Sequence, residues 1–279
     1  MLIDTHCHLD AIEFDSDRKQ VIARAAQAGV AAIVIPAVSV ANFAAVRELA
    51  HSMTGGAYAL GIHPLCALQA GQADLQTLDQ QLSRYSNDPR LVAVGEIGLD
   101  YFVPALRSEQ ASAHQEWLYD QQLRLARKHR LPVIVHVRRS QDRVLKYLRQ
   151  YPGLGGIAHA FNGSQQQAEQ FLQQGMALGF GGAMTFTRAK QIRRLASSLP
   201  DAAIVLETDA PDIAPAWLGR DNTGLSDGST ARNEPSELLG IAHELARLRA
   251  QDIATVARHS AQAALRVLPR LGAVLPPVR

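Results

Sequence analysis

Cysteine is scarce in the 279-residue chain, with Cys7 and Cys66 the whole supply. Two thiols are too few for a disulfide framework and fit a reducing compartment. No stretch of about 18 consecutive apolar residues occurs, so no membrane span is expected. Charge of one sign is lacking as well. Lys and Arg total 28 against 26 Asp and Glu, a net +2. With no run of like charges, the whole-molecule field gives no basis for a nucleic-acid coat protein. Met1-Leu2-Ile3-Asp4 has neither the basic start nor the apolar core of a signal peptide, and a cytoplasmic location is expected. Gly-x-x-x-x-Gly-Lys, Gly-x-Ser-x-Gly and Cys-x-x-Cys are absent too. Nucleoside-triphosphatase, serine-hydrolase and dithiol chemistry therefore have no marker.

Apolar residues are plentiful, at 47% of the chain, enough for a large core. They gather in eight short runs: Met1–His8, Ala31–Val38, Ala57–Pro64, Leu91–Asp100, Pro132–Val137, Gly156–Phe161, Met176–Gly182 and Ala203–Pro211. Most are continuous, not alternating, as strands of a parallel sheet read when both faces are covered. A helical stretch follows each run, sometimes after a loop. Strict alternation of strand and helix means an α/β fold, and eight units match a (β/α)8 barrel. A doubly wound sheet wants Gly-x-Gly-x-x-Gly after its first strand, where this chain has Thr5-His6-Cys7-His8.

Helices are expected over Gln115–His129, over Glu237–Arg249 just after Pro235, and over about Gln251–Val267. The Gly- and Asp-rich segment Ala214–Asn233 follows the eighth strand and reads as a functional loop on the barrel rim. With no repeat or linker, residues 1–279 read as one domain, with a loose tail over about 270–279.

Polar residues collect at the C-terminal ends of the strands, where barrel active sites are built. His6 and His8 end the first strand, His63 the third, His136 the fifth and Asp209 the eighth, with Glu96 inside the fourth and His159 inside the sixth. Residues i and i+2 of a strand share a face, about 6.6 Å apart, so both imidazoles of His6-x-His8 reach one ion while Cys7 packs the other way. A carboxylate inside an apolar strand, as at Glu96, is costly unless paired or bound to metal. Four histidines and two carboxylates exceed the needs of one tetrahedral ion. Two ions with Glu96 between them account for the count, and nitrogen and oxygen donors fit Zn2+, Mn2+ or Co2+. Glu207 shares a face with Asp209 and is expected behind the ligands, with Asp4 and Asp10 bracing the His-x-His turn. Arg138, Arg188 and Arg232 are candidate contacts to an anionic substrate.

Six stretches in order resemble the TatD family of metal-dependent hydrolases, closest to its YjjV-like branch. They are Ile3-Asp4-Thr5-His6-Cys7-His8-Leu9-Asp10, Gly61-Ile62-His63-Pro64, Gly95-Glu96-Ile97-Gly98-Leu99-Asp100, Leu131-Pro132-Val133-Ile134-Val135-His136, His159-Ala160-Phe161-Asn162-Gly163-Ser164 and Glu207-Thr208-Asp209-Ala210-Pro211-Asp212. The resemblance implies a distorted, amidohydrolase-like TIM barrel. It also implies metal ligation by His6, His8, Glu96, His136, His159 and Asp209, with the Glu shared between two divalent ions, Zn2+ first and Mn2+, Mg2+ or Co2+ next. Ala160, Leu65 and Ser260 depart from the family's usual residues.

The expected reaction is hydrolysis of DNA phosphodiesters, as in a TatD-type deoxyribonuclease. Asp209 would take the proton of an activated water, His63 would orient the phosphate, and Glu96 would hold the metals. One alternative is an amidohydrolase or esterase acting on a small acyl group or a D-aminoacyl-tRNA. Another is a metal-binding protein without turnover. Nucleic acid is the expected partner, with no membrane and no obligate protein partner.

Overall fold

The computed structural model describes residues 1–219 and 232–276. Eight parallel strands lie side by side in chain order: β1 (Leu2–Asp4), β2 (Val30–Pro36), β3 (Gly56–Leu60), β4 (Leu91–Asp100), β5 (Val133–Arg138), β6 (Gly156–Ala158), β7 (Met176–Phe180) and β8 (Ile204–Leu206). Each coincides with one of the expected apolar runs. Between and after them run α1 (Arg18–Gln27), α2 (Phe43–His51), α3 (Gln72–Arg84), α4 (Glu109–His129), α5 (Gln141–Leu148), α6 (Gln165–Gln173), α7 (Lys190–Ser198), α8 (Leu238–Arg249) and α9 (Ile253–Val267). The architecture is a (β/α)8 barrel.

The last strand meets the first through a short, irregular seam. Thr5 N donates to Leu206 O at 3.1 Å, Asp209 N to His6 O at 2.8 Å and His8 N to Ala210 O at 2.8 Å. The fully buried Asp4 carboxylate binds this seam from β1, accepting from Thr208 N at 3.0 Å and Thr208 Oγ1 at 2.6 Å. From behind, Leu206 N donates to Ser260 Oγ on α9 at 2.9 Å. His6 and Asp209 are thereby fixed by the closure itself.

Two apolar layers hold the barrel. Leu, Phe and Val side chains from the outer faces of the strands meet the helices in one large core. Inside, small residues dominate: Ala32, Ala57, Ala59, Ala93 and Ala177 fill the interior with Val34, Ile134 and Val205. Val267, Leu268, Leu271 and Val274 close this interior from below. Here the expected loose tail is corrected. Pro269–Val274 forms a 3₁₀ turn with Leu271 fully buried, because the barrel floor needs an apolar cover. Of the expected tail, residues 277–279 lie outside the described residues, as do residues 220–231 of the expected rim loop. Among the described residues no helix is long and apolar enough to cross a membrane.

Candidate metal centre

Glu96 occupies the middle of β4, 1% exposed. Five imidazoles surround its carboxylate, and its two oxygens divide them. Oε2 faces His6 and His8, with their Nε2 atoms at 3.1 and 3.4 Å. Oε1 faces His159 Nε2 at 2.8 Å, His136 Nδ1 at 2.9 Å and His63 Nε2 at 3.1 Å. Asp209 joins the first set, its Oδ1 lying 3.5 Å from His6 Nε2 and 3.7 Å from His8 Nε2. The structure thus brings together all six expected ligands and His63.

The spacing of these atoms is a test for an ion. Ligand atoms about 2.1 Å from one tetrahedral ion stand about 3.4 Å from one another. His6 Nε2 and His8 Nε2 are 3.3 Å apart, and their distances to Glu96 and Asp209 bracket the same value. Glu96 Oε2 is buried without a hydrogen-bond partner among the described residues. A buried carboxylate oxygen left this way is destabilising unless a cation faces it. The donor set and its orphaned oxygen fit a divalent cation between His6, His8, Glu96 and Asp209. On the other side, His136 Nδ1 is 3.3 Å from His159 Nε2, which suits a second cation sharing Glu96 Oε1.

His63 differs from its neighbours. Its Nδ1 accepts Leu65 N–H at 3.0 Å, so the neutral ring carries its proton on Nε2, the atom that faces the cluster. It stands there as a donor. His136 is held from the opposite side, its Nε2 3.2 Å from Asp100 Oδ2. Asp100 also accepts from Phe102 N at 2.7 Å and Val103 N at 2.9 Å, so one carboxylate ties the ring to the loop after β4. Gly98, between the two acids at φ 141°, lets β4 pass close to β5; a Cβ there would overlap the His136 carbonyl oxygen. Glu207 lies behind His159, as expected. Its Oε1 accepts from Ala160 N and is 3.9 Å from His159 Nδ1, in space that Gly179 leaves open by lacking a Cβ.

Burial and mutual charge set the protonation states. Burial opposes the Glu96 carboxylate, yet His63, His159 and His6 outweigh it and hold the carboxyl well below its ordinary value. Burial depresses His6 far down. The same burial acts on His8 and His159, but Glu96 overrides it and raises them to about 9 and about 10. Burial lifts the Asp209 carboxyl, against the pull of His159 and His8.

The arginines fare unequally. Arg138 follows His136 at the end of β5, exposed, its Cζ 4.0 Å from the Phe102 ring centroid. Arg188 is exposed on the loop after β7, 5.0 Å from the Phe186 ring. Arg232 is corrected: both its terminal nitrogens donate to Asp17 at 2.8 Å, and it packs 4.7 Å over Phe14. That pairing with α1's leading acid uses its fork structurally. Asp4 braces the His-x-His turn at the backbone, accepting from His6 N at 3.3 Å beside its two bonds to Thr208, whereas Asp10 is turned instead to Asn42 Nδ2 at 2.8 Å. Sequence reasoning missed Asp100, although it shares strand parity with Glu96.

A barrel whose C-terminal mouth carries histidines and carboxylates in this arrangement defines a metal-dependent hydrolase. Residues 3–269 match the family described as TatD related DNase, and the chain belongs to that family. It is 43% identical over 212 residues to the uncharacterized metal-dependent hydrolase YjjV of Escherichia coli K12, covering 76% of this chain and 80% of YjjV. The crystal structure of that TatD homologue superposes with a TM-score of 0.85 at 36% identity, over 96% of this chain and 98% of the other. The 3'-5' ssDNA/RNA exonuclease TatD of Pantoea sp. At-9b is 32% identical over 252 residues, 89% of this chain and 92% of that one.

Proposed function

We propose that this hydrolase cleaves phosphodiester bonds of nucleic acid, DNA first, with two divalent ions at the barrel mouth. The carrying observation is the Glu96 carboxylate, which turns one oxygen to His6 and His8 and the other to His136 and His159. Similarity to an ssDNA/RNA exonuclease supports nucleic acid as the substrate class. A nitrogen-rich donor set favours Zn2+, with Mn2+ or Co2+ next, over Mg2+.

His6, His8, Glu96 and Asp209 would hold one ion, and Glu96, His136 and His159 the other. When bound, the ions supply positive charge that lowers the pKa of water and steadies the leaving oxygen. Asp209, with its carboxyl raised by burial, takes the proton of the attacking water. His63 donates its Nε2–H to a phosphate oxygen, a role set by the Leu65 N–H on its other nitrogen. Arg138 at the end of β5 and Arg188 on the loop after β7 stand exposed, where their forks meet phosphate.

The test gives the Zn2+- or Mn2+-loaded protein an end-labelled DNA oligonucleotide beside a panel of small carboxylic esters. Cleavage of the oligonucleotide is expected, with about two ions per chain by elemental analysis. Asp209→Asn should lower kcat by about 100-fold or more. Glu96→Gln should lose metal and activity together. Turnover of the esters with intact DNA sinks the phosphodiester reading, and a fully active Glu96→Gln with metals bound sinks the shared carboxylate.

A further inference from the structure

Phe102 is a large apolar side chain in an unusual place. It lies just after β4, at the mouth, and is 39% exposed. Its backbone is not loose. Phe102 N donates at 2.7 Å to the Asp100 carboxylate that also holds His136. Tyr101 N donates to Arg138 O at 2.9 Å, so the ladder between β4 and β5 runs up to the aromatic residue. The ring is therefore referenced to the metal centre by two short links. Above it, Arg138 Cζ is 4.0 Å and Arg139 Cζ 4.8 Å from the ring centroid. Both guanidiniums are exposed.

The ring, 39% exposed beside two guanidiniums, keeps apolar surface that further burial would stabilise. The arrangement makes sense as a surface awaiting a flat partner. Guanidinium planes and aromatic rings both stack nucleobases, and arginine forks pair phosphate. Phe102 N and Val103 N both turn back onto the Asp100 carboxylate, whose other oxygen meets His136, so the aromatic residue is held beside the side chain that orients a candidate metal ligand. The geometry points to Phe102, Arg138 and Arg139 as a nucleotide subsite, in which the ring and guanidiniums stack a base next to the scissile phosphate and the arginines hold the adjoining phosphate. This rests on the phosphodiesterase reading and adds to it a reason why a base-bearing substrate outcompetes a bare diester.

Binding, not turnover, is the readout. A fluorescent phosphorothioate oligothymidine and an abasic oligonucleotide of equal length are titrated by anisotropy. Phe102→Ala should weaken the base-bearing probe about fivefold or more, the low end of base–aromatic stacking, and leave the abasic probe unchanged. Phe102→Tyr should restore the wild-type value. Arg138→Ala should weaken both probes and flatten the salt dependence by about 0.7 in log–log slope. Equal losses on both probes, or no loss, overturn the subsite. Failure of the wild-type protein to bind either probe overturns the subsite and the nucleic-acid reading together. Binding without cleavage of the unmodified oligonucleotide sinks the nuclease reading alone.

Discussion

Asp100 acts through His136. The carboxylate is fully buried and accepts two backbone N–H bonds. Burial opposes its ionised form, but His136 and those backbone donors hold its pKa down at about 2. It is ionised throughout the working range and fixes which nitrogen of His136 turns to the cluster. Asp100→Asn should weaken metal affinity by about 10- to 100-fold, the usual cost of losing a ligand's outer partner. Chelator competition measures it, and unchanged affinity would show that packing alone orients the ring. At this scale the sequence speaks loudest where a polar residue interrupts an apolar strand. His6, His8, Glu96, His136 and His159 are visible because each lies within or at the end of an apolar run, where a charge or imidazole is costly unless it is paired, hydrogen-bonded or bound to metal. Asp100 hides at the end of its strand, where an acid needs no explanation. Arg232 misleads because its partner Asp17 is 215 residues away in sequence, and only folding brings them together.

The strands were legible as elements and overrun at their ends. Met1–His8 contains only Leu2–Asp4 of ladder, and Ala203–Pro211 only Ile204–Leu206. Hydrophobicity continues past the last ladder bond because the chain still packs, while the backbone turns to aim side chains inward. Asp209, at φ 56°, is one such turn, a backbone state that non-glycine residues adopt at functional sites. The 3₁₀ turn Pro269–Val274 was illegible for the opposite reason. Leu271 and Val274 are too few and too close to the terminus to show a period, and only the barrel floor gives them something to cover. Leu271→Ala should cost about 2–4 kcal/mol in denaturant unfolding, as for a buried leucine. A cost below about 0.5 kcal/mol, usual for surface changes, would mean that the floor is not sealed by this turn.

For the whole molecule, the metal centre makes pH act in opposite directions on the two states of loading. His8 and His159 are raised to about 9 and about 10, and burial raises Glu207 to about 8. Groups whose folded pKa is raised hold protons that the unfolded chain has shed. Their stabilisation is complete below the unfolded values and lost as pH climbs through the folded ones. The metal-free protein should therefore lose thermal stability steadily between about pH 7 and 10. Metal affinity should rise over the same range, since ligands must shed protons to bind, by about tenfold per pH unit for each proton displaced. Melting curves and chelator competition at several pH values check both trends, and a flat affinity profile would contradict the assigned ligands.

The alanine-filled interior, sealed beneath by the end of α9 and its following turn, leaves the strands no through-passage. Among the described residues, the candidate metal centre therefore opens on the C-terminal face of the barrel and not through its floor. A polymer offered to this centre would have to lie across that face, because it could not be threaded through the barrel.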